Sequence, residues 1–310
     1  MNIITLSLNP AFDIHCDIPD FAPYHENLAR ITHRDAGGKG INISRALLAN
    51  GVDNLAFVVL GEENAAVFEQ GLVADGLNYR ALRVKGRIRE NITCHTPNVP
   101  ETRISFEGFS MEEAQLEQVY ELLAADVTED TVLTFTGRAP SGVSMNRVKE
   151  LLYRFVQRGA RLVIDSRSFT LEDLLELKPW LIKPNQEEIS AYLSREIQSL
   201  TQVVGAAQQL HRDGIANVMI SLGGEGALLA CADGAFVANA PAVEVCSTVG
   251  AGDSSVAGFL AATAAGAGAL ERLRTAVAFG SAACMTQGTR PPEPAEIARL
   301  ISGIQVNYAD

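Results

Sequence analysis

The chain has 310 residues, and its 47% apolar and 20% charged content is that of an ordinary folded protein rather than a disordered one. Its 25 basic and 37 acidic side chains give a net charge of −12. This charge disfavours nucleic acid or an anionic membrane as the main partner, because both bind basic surfaces. No apolar run reaches the roughly 18 residues of a membrane span, and the N-terminus lacks the basic start of a signal peptide. We therefore expect one large cytoplasmic domain over residues 1–310.

Strands and helices alternate along most of the chain. Near the N-terminus the apolar pattern predicts a strand at Ile3–Leu8, a helix at Gly40–Asn50 and a strand at Leu55–Leu60. This order, with its unbroken apolar strands, indicates an α/β fold in which helices cover both faces of a mostly parallel sheet. The later predicted strands are Thr131–Thr136, Arg161–Asp165, Trp180–Lys183 and Val218–Leu222, and the later helices are Glu112–Ala125, Ser144–Arg158, Leu171–Leu177 and Leu200–Asp213.

Two polar, β-rich stretches, at about residues 11–36 and 86–108, interrupt this alternation. Residues 91–95 and 103–106 alternate between polar and apolar side chains, as strands with one exposed face do. Neither stretch is long enough to form its own core, so we expect both to form a small sheet over one edge of the domain. Such a position is typical of a lid. An exposed lid sheet needs a covering surface, which favours a homodimer formed through it.

The segment Ser247–Ser254 is the strongest candidate for chemistry. It follows a strand-like run at Ala242–Cys246 and precedes an apolar helix predicted at Ser254–Ala265. Its two glycines permit a tight turn near a ligand, and the free N–H groups that begin the helix favour an anion. Asp253 lies where a carboxylate would accept a proton from a substrate hydroxyl during phosphoryl transfer. The alternative is a glycine turn in which Asp253 caps the helix.

A second glycine-rich segment, Gly37–Asn42, also leads into a predicted helix. It lacks the spacing of a Walker A loop and of a dinucleotide-binding fingerprint. Three glycines around Lys39 would let a polyhydroxylated ligand come close, with the ammonium group of Lys39 available for an anion. A flexible turn with a solvated lysine is the alternative.

Three shorter motifs follow predicted strands. Asn185 and Glu188 share a helix face and would hold Mg²⁺ near phosphates, although an N-cap with a capping-box Glu explains the same spacing. The glycines of Ser221–Gly226 lie at the carboxyl end of a strand, where parallel sheets bind nucleotides, and an ordinary hairpin turn is the alternative. Asp13, after Asn9-Pro10, would accept hydrogen bonds from hydroxyl groups or form a turn.

Taken in chain order, these motifs resemble those of the PfkB, or ribokinase-like, carbohydrate kinases. The matching segments are N-P-x-x-D at residues 9–13, G-G-K-G-x-N at 37–42, K-P-N-x-x-E at 183–188, S-L-G-x-x-G at 221–226 and G-A-G-D at 250–253. Five motifs in one order span nearly the whole chain and are far more specific than any one of them. The resemblance implies a three-layer α/β/α domain with a mostly parallel sheet and a small β-sheet lid, which uses ATP and Mg²⁺.

The resemblance also implies a role for each matching residue. Asp253 would be the general base, and backbone N–H groups beside it would form an anion hole. The implied anion hole is Gly250, Ala251 and Gly252; the implied sugar contacts are Asp13, Gly38, Lys39 and Asn42; the implied ATP contacts are Lys183, Asn185, Ser221, Gly223, Gly226 and Thr248; and the implied Mg²⁺ contacts are Asn185 and Glu188.

Other details resemble the phosphosugar branch of the family, which comprises 1-phosphofructokinase, tagatose-6-phosphate kinase and the minor 6-phosphofructokinase. In that branch the positions of Arg89 and Asn91 help to bind the phosphate that the substrate already carries, and Lys39 would assist them. An arginine that binds a phosphate through two hydrogen bonds fixes its position as well as its charge. The resemblance therefore implies a sugar phosphate as the acceptor.

The sequence departs from the branch pattern at three positions. Ile88 replaces the Thr of the usual T-R-x-N, and Thr93 stands where Lys or His is frequent. Arg138 replaces the Ser of the usual G-S-L-P. Arg138 would either hold the substrate's phosphate or leave the pocket shaped for a different sugar.

We therefore predict a kinase that transfers the γ-phosphoryl group of ATP to fructose 1-phosphate, fructose 6-phosphate or tagatose 6-phosphate. A kinase for an unphosphorylated sugar or a nucleoside is the alternative from the same family. A non-catalytic sugar-binding protein with this fold is a more distant one. A dinucleotide-dependent redox enzyme is disfavoured because no G-x-G-x-x-G follows a strand. The sequence leaves open which sugar is held and which hydroxyl reacts.

Overall fold

The computed structural model describes residues 1–97 and 101–309, so residues 98–100, within the second predicted lid stretch, lie outside the described residues. The described part contains fourteen strands and ten α-helices. The strands are β1 (Asn2–Ser7), β2 (Ala11–Asp17), β3 (Arg30–Gly37), β4 (Leu55–Gly61), β5 (Tyr79–Val84), β6 (Arg89–His95), β7 (Thr102–Ser105), β8 (Thr131–Thr136), β9 (Arg161–Asp165), β10 (Leu181–Ile182), β11 (Asn217–Ser221), β12 (Ala227–Cys231), β13 (Gly234–Ala238) and β14 (Val306–Tyr308). The helices are α1 (Lys39–Ala49), α2 (Ala65–Ala74), α3 (Glu113–Ala124), α4 (Met145–Gln157), α5 (Leu171–Leu177), α6 (Gln186–Tyr192), α7 (Leu200–Arg212), α8 (Ala251–Ala264), α9 (Ala269–Cys284) and α10 (Pro294–Ile301).

Ten strands form the main sheet, in the order β14-β13-β12-β11-β10-β9-β8-β1-β4-β5. The seven strands from β11 to β5 are parallel to one another. Strands β12, β13 and β14 extend the sheet beyond β11, and each is antiparallel to the strand before it. One hydrophobic core lies between the sheet and helices α2 to α7, and the other lies between the sheet and helices α1, α8, α9 and α10. This arrangement confirms the three-layer α/β/α fold with a mostly parallel sheet.

Strand β1 shows why the apolar runs are unbroken. Ile4 and Leu6 belong to one core, whereas Ile3 belongs to the other, because successive side chains point to opposite faces of a strand. Thr5 also faces the second layer, where its hydroxyl lies 2.8 Å from the hydroxyl of Ser44 on α1. A strand that is buried on both faces has no exposed side on which polar residues would alternate.

Two predictions around the G-A-G-D segment are wrong. Residues 242–246 form no strand, because their backbone runs outside both sheets and the N–H groups of Cys246 and Ser247 donate to the carbonyl oxygen of Cys284. Helix α8 begins at Ala251 rather than at Ser254. Gly250, with φ of 83°, takes the left-handed conformation and caps the helix, so the catalytic candidate at position 253 lies inside its first turn.

Strands β2, β3, β6 and β7 form a second, small sheet in the order β3-β2-β6-β7. β2 is parallel to β6, and the two outer strands are antiparallel to their neighbours. All four strands fall within the two stretches predicted for the lid, apart from the final residue of β3. We refer to this unit as the small sheet; its action as a lid stays a prediction.

Helices α8 and α9 pack very closely, which explains the run of small residues in this part of the chain. A Cβ atom added at Gly258 on α8 would lie 2.7 Å from the carbonyl oxygen of Thr275 on α9. A Cβ atom added at Gly280 on α9 would lie 2.3 Å from the hydroxyl of Ser255. In residues 1–97 and 101–309, no helix combines the length and apolarity needed to cross a bilayer.

Replacing Gly258 with alanine should destabilise the protein by about 1–3 kcal/mol, because the added methyl group overpacks the contact between α8 and α9. Gly205→Ala on the exposed side of α7 is the matched control, since its added Cβ meets nothing within 4 Å. That change should stabilise the helix by about 0.5–1 kcal/mol. Denaturant unfolding of both variants measures the difference, and equal effects would contradict the close packing described here.

Candidate active site

Two adjoining cavities lie where the carboxyl ends of the parallel strands meet the first turns of α1 and α8. The polar cavity, of about 610 Å³, is bounded by both sheets. The apolar cavity, of about 540 Å³, extends from the end of β11 towards α9. Lys183, Thr248 and Gly252 line both cavities and therefore form their shared wall.

Backbone N–H groups at the start of α8 face this wall. Within the described ranges, the N–H groups of Gly252 and Asp253 donate to no backbone acceptor, whereas that of Ser254 donates to Gly250 at 2.8 Å. The first turn of a helix always leaves such groups free, and the helix dipole makes them attractive to an anion. The wall between the cavities is therefore suited to a phosphate group.

Asp253 lies beside these N–H groups and is only 6% exposed. Burial is the main cause that raises the pKa of Asp253 to about 6. The positive charge of Lys39 acts in the opposite direction, the negative charge of Asp165 adds to the increase, and smaller opposing effects come from Asn42 and Lys183. The side-chain amide of Asn42 donates a 2.8 Å hydrogen bond to one carboxylate oxygen of Asp253 and so fixes its orientation.

Asp165, at the end of β9, is a buried acid whose role the sequence motifs did not reveal. Its Oδ2 atom lies 3.2 Å from Nζ of Lys39 and 3.7 Å from Nζ of Lys183. Burial alone would raise the pKa of Asp165, but the two ammonium groups outweigh it and hold the pKa below its usual value. Burial would likewise lower the pKa of Lys39, and the charges of Asp165 and Asp253 raise it instead.

Asp13 lies on the small sheet and faces the polar cavity. The amide of Asn91, its partner on β6, donates a 2.9 Å hydrogen bond to Asp13 Oδ1. A Cβ atom at Gly37 would lie 2.1 Å from Asp13 Oδ2, so only glycine leaves room for this carboxylate. Gly38, with φ of 120°, then caps α1 in a conformation that other residues rarely adopt. The G-G-K-G segment therefore leaves room for the carboxylate of Asp13 in the cavity and also begins helix α1.

Three arginines, Arg89, Arg103 and Arg138, line the same cavity. Burial and the positive charges of Arg138 and Arg103 lower the pKa of Arg89, although Asp13 acts in the opposite direction. Arg89 donates to Asn91 Oδ1 at 3.0 Å and to the carbonyl oxygen of Asn9. In the part of the chain that the structure describes, none of the three arginines forms an ion pair, and the nearby Glu90 pairs with other arginines.

Arg103 was missed by the sequence motifs, although a signal was present. The predicted strand at 103–106 places Arg103 and Ser105 on one face, and in the structure Arg103 pairs with Thr93 and Ser105 with Asn91. Both therefore share the face of Asn91, which was already a candidate.

In all, six basic side chains and three carboxylates line the polar cavity. This cavity is locally positive within an acidic chain, as an anionic ligand requires.

The apolar cavity has walls of small and apolar side chains. The turn Leu222–Gly226 joins the antiparallel strands β11 and β12, so the hairpin alternative is correct, and its glycines also line the cavity. A Cβ atom at Gly226 would lie 1.9 Å from the carbonyl oxygen of Ala238, which explains the glycine there. Asn185 and Ser221 line the same cavity.

Asn185 and Glu188 form the capping box that the sequence left as an alternative. Asn185 Oδ1 accepts from the N–H of Glu188, and Glu188 Oε2 accepts from the N–H of Asn185, both at 2.8 Å. The other carboxylate oxygen of Glu188 accepts from Arg167 at 2.6 Å. Glu188 lines neither cavity, and the described residues contain no cluster of three His, Cys, Asp or Glu suited to a metal. These side chains, as arranged here, do not form a ready magnesium site.

Residues 8–296 match the description "pfkB family carbohydrate kinase", and the chain belongs to this family. The family prediction is therefore confirmed, and membership of a kinase family implies the use of ATP. The chain is 34% identical over 258 residues to 1-phosphofructokinase of Escherichia coli strain K12, which covers 83% of each chain. It is 33% identical over 312 residues to 1-phosphofructokinase of Rhodobacter capsulatus, which covers 99% of this chain and 98% of the relative.

Solved structures agree with this assignment. Phosphofructokinase-2 from Escherichia coli in complex with substrates and products superposes with a TM-score of 0.91 at 28% identity, over 98% of this chain and 99% of that chain. The tetrameric inhibited form of the same enzyme gives a TM-score of 0.87 at 27% identity, over 97% of this chain and 98% of that chain. The fold of the whole chain is thus that of a PfkB-type phosphofructokinase.

Proposed function

We propose that the protein transfers the γ-phosphoryl group of ATP to a hydroxyl of a ketohexose phosphate. The observation that carries this proposal is the group of three arginines, Arg89, Arg103 and Arg138, which line the polar cavity without an ionic partner in the described structure. A phosphate monoester carries about −1.5 to −2 charges at neutral pH and accepts several hydrogen bonds. Fructose 1-phosphate is the first candidate, because the relatives described above are 1-phosphofructokinases; fructose 6-phosphate and tagatose 6-phosphate follow.

Different charges act on Asp253 and on Arg89, which both line the polar cavity. Those that act on Asp253 come from Lys39, Asp165 and Lys183. Those that act on Arg89 come from Arg138, Asp13 and Arg103. A substrate with a phosphate at one end and a reactive hydroxyl at the other matches this division. An unphosphorylated sugar or a nucleoside would leave the arginines without an anion, which is why we favour a sugar phosphate.

The apolar cavity is suited to the adenine ring of ATP. Its walls are small or apolar side chains such as Ala240, Val243 and Val277, and such surfaces favour a flat ring. The triphosphate would then reach the shared wall, where Lys183, Thr248 and the free N–H of Gly252 lie. The two substrates would therefore meet at the start of α8.

Asp253 would act as the general base at this meeting point. Its raised pKa, about 6, leaves it mostly ionised at neutral pH while making it a stronger base than an exposed aspartate. Asn42 holds the carboxylate in place, and the N–H groups of Gly252 and Asp253 offset charge on the transferring group. Mg²⁺, which the family implies, would neutralise charge on the triphosphate; in this structure Asn185 and Glu188, the residues predicted to hold it, bind each other's N–H groups in a capping box.

Asp253→Asn should reduce turnover by about 10²- to 10⁴-fold, because an amide cannot accept the hydroxyl proton. The amide oxygen can still accept the hydrogen bond from Asn42, so folding and ATP binding should persist. In the parent, kcat/KM should fall as pH drops below about 6, where protonation removes the base. A coupled ATPase assay measures both effects, with exposed Asp213→Asn as the control. Near-normal activity of Asp253→Asn would remove Asp253 from its role.

Arg138→Ala and Arg89→Ala should each raise the KM for fructose 1-phosphate by about 10- to 100-fold, because each loses a hydrogen bond between charged groups and such a bond contributes about this factor to binding. Any phosphorylation of free fructose should change little, because that substrate brings no phosphate to the arginines. Arg154→Ala, on the surface beside Glu117, is the control. If Arg138→Ala alone has no effect, Arg138 does not hold the phosphate. If the parent prefers free sugars and neither variant changes that, the enzyme is a kinase for unphosphorylated sugars.

We further propose that the small sheet forms a homodimer. Large apolar side chains are exposed on β3, on β7 and directly after it, and in the connection between β2 and β3, which is unusual for a free surface. Leu28 is 88% exposed and Ile31 is 62% exposed. The others are Phe21, Tyr24, Ile104 and Phe106. A second copy that presents the same surface would cover them with two-fold symmetry.

Ile31→Asp should convert this dimer into a monomer, because it would bury two uncompensated charges at the interface. Val73→Asp changes a similarly exposed residue on α2 and should leave the dimer intact. Analytical ultracentrifugation of the parent and both variants at micromolar concentration gives the molecular mass. A monomeric parent, or an unaffected Ile31→Asp variant, would contradict an interface formed by the small sheet.

A further inference from the structure

Asp165 occupies a costly position that the proposed chemistry has not used. It ends β9, between β8 and β10 in the middle of the main sheet, and is 4% exposed. A carboxylate in such a site loses much of its hydration, which its ion pairs seldom recover in full. Apolar side chains of similar size usually stabilise a core at least as well. Stability alone therefore does not explain why a carboxylate occupies this position.

The two lysines beside Asp165 face different parts of the site. Lys39, at the start of α1, lines the polar cavity, and its side chain is 40% exposed. Lys183, after β10, is buried and lines both cavities. A Cβ atom at Gly252 would lie 3.0 Å from Nζ of Lys183, so this ammonium group lies against the first turn of α8. The carboxylate of Asp165 thus holds the ammonium group of Lys39 in the polar cavity and that of Lys183 at the wall shared by the two cavities.

Asp165 also acts on Asp253 through its charge. Its negative charge raises the pKa of Asp253, whereas Lys39, Lys183 and the hydrogen bond from Asn42 lower it. Removal of the Asp165 charge would take away the first effect. It would also leave both lysines without their carboxylate partner, so their attraction to Asp253 would strengthen. Both changes act in the same direction and make Asp253 a weaker base.

We propose that Asp165 is a positioning residue for phosphoryl transfer. It holds the ammonium groups of Lys39 and Lys183 on the two sides of the shared wall and keeps them from neutralising the base Asp253. This role rests on the proposed function, because it assumes that phosphoryl transfer takes place at that wall. It concerns a residue that none of the five sequence motifs contains.

Asp165→Asn should lower kcat by about 10- to 100-fold, the order expected when charged groups shift by an ångström or less. The fall of kcat/KM on the acid side should also move to lower pH than in the parent, because Asp253 then loses its proton more easily. If Asp165 had only a structural role, the variant would lose stability or activity, but the pH at which kcat/KM falls would not move. Glu117→Gln, which removes one exposed carboxylate paired with Arg154, should change neither quantity.

A titration without substrates separates this inference from the proposed function. The carboxyl carbon of Asp253, assigned in ¹³C NMR spectra by its loss in Asp253→Asn, reports the protonation of the base directly. In Asp165→Asn its midpoint should lie at lower pH than in the parent. An unchanged midpoint would overturn the role of Asp165, whatever the activity. A parent without kinase activity on any sugar or sugar phosphate would overturn the proposed function, and the role of Asp165 in transfer would fall with it.

Asp165→Glu serves as the second variant should the amide prevent folding. It keeps the charge but moves the carboxylate by one methylene group. The midpoint of Asp253 should then stay near that of the parent, while kcat still falls because the two lysines are displaced. Full activity of a folded Asp165→Glu variant would show that the positions of the lysines do not matter.

Discussion

The site depends on one constraint: a carboxylate must stay charged while it is buried at the start of a helix. Asp253 meets it with the hydrogen bond from Asn42 and the positive charges of Lys39 and Lys183. None of these compensates fully for lost hydration, which is why its pKa remains raised. The left-handed Gly250 begins the helix where Asp253 falls within the first turn. The turn at Gly250 therefore determines both where helix α8 begins and where the base Asp253 is buried.

Glycine serves the site by making room for other groups. Gly37 leaves space for the carboxylate of Asp13, Gly40 for the hydroxyl of Ser7 and Gly252 for the ammonium group of Lys183. A side chain at any of these positions would displace a polar group of the polar cavity, even where the backbone could accept it. This explains why glycine-rich segments identify the site more clearly than the polar residues do.

The sequence predicted the layers of the fold well, because strands buried on both faces and amphipathic helices have strong local patterns. It failed at residues 242–246, where alternation between valine and glutamate resembles a strand but the residues lie along a cavity wall. It also missed Asp165, whose role depends on a partner far away in the chain: Lys39 is 126 positions from it. No local pattern can report such a contact, whereas the five motifs are local and were found. Arg103 was missed for another reason, since the alternation at 103–106 predicted its strand but not the charge that its exposed face would meet.

The wall shared by the two cavities gives the molecule a further property. Because Lys183, Thr248 and Gly252 border both spaces, the charge of a ligand in one space changes the electric field that a ligand in the other meets. Two anionic phosphate groups on opposite sides of one ammonium group compete for it as well as share it. The affinities of the two ligands are then linked by a single coupling free energy, which is the same whichever ligand binds first.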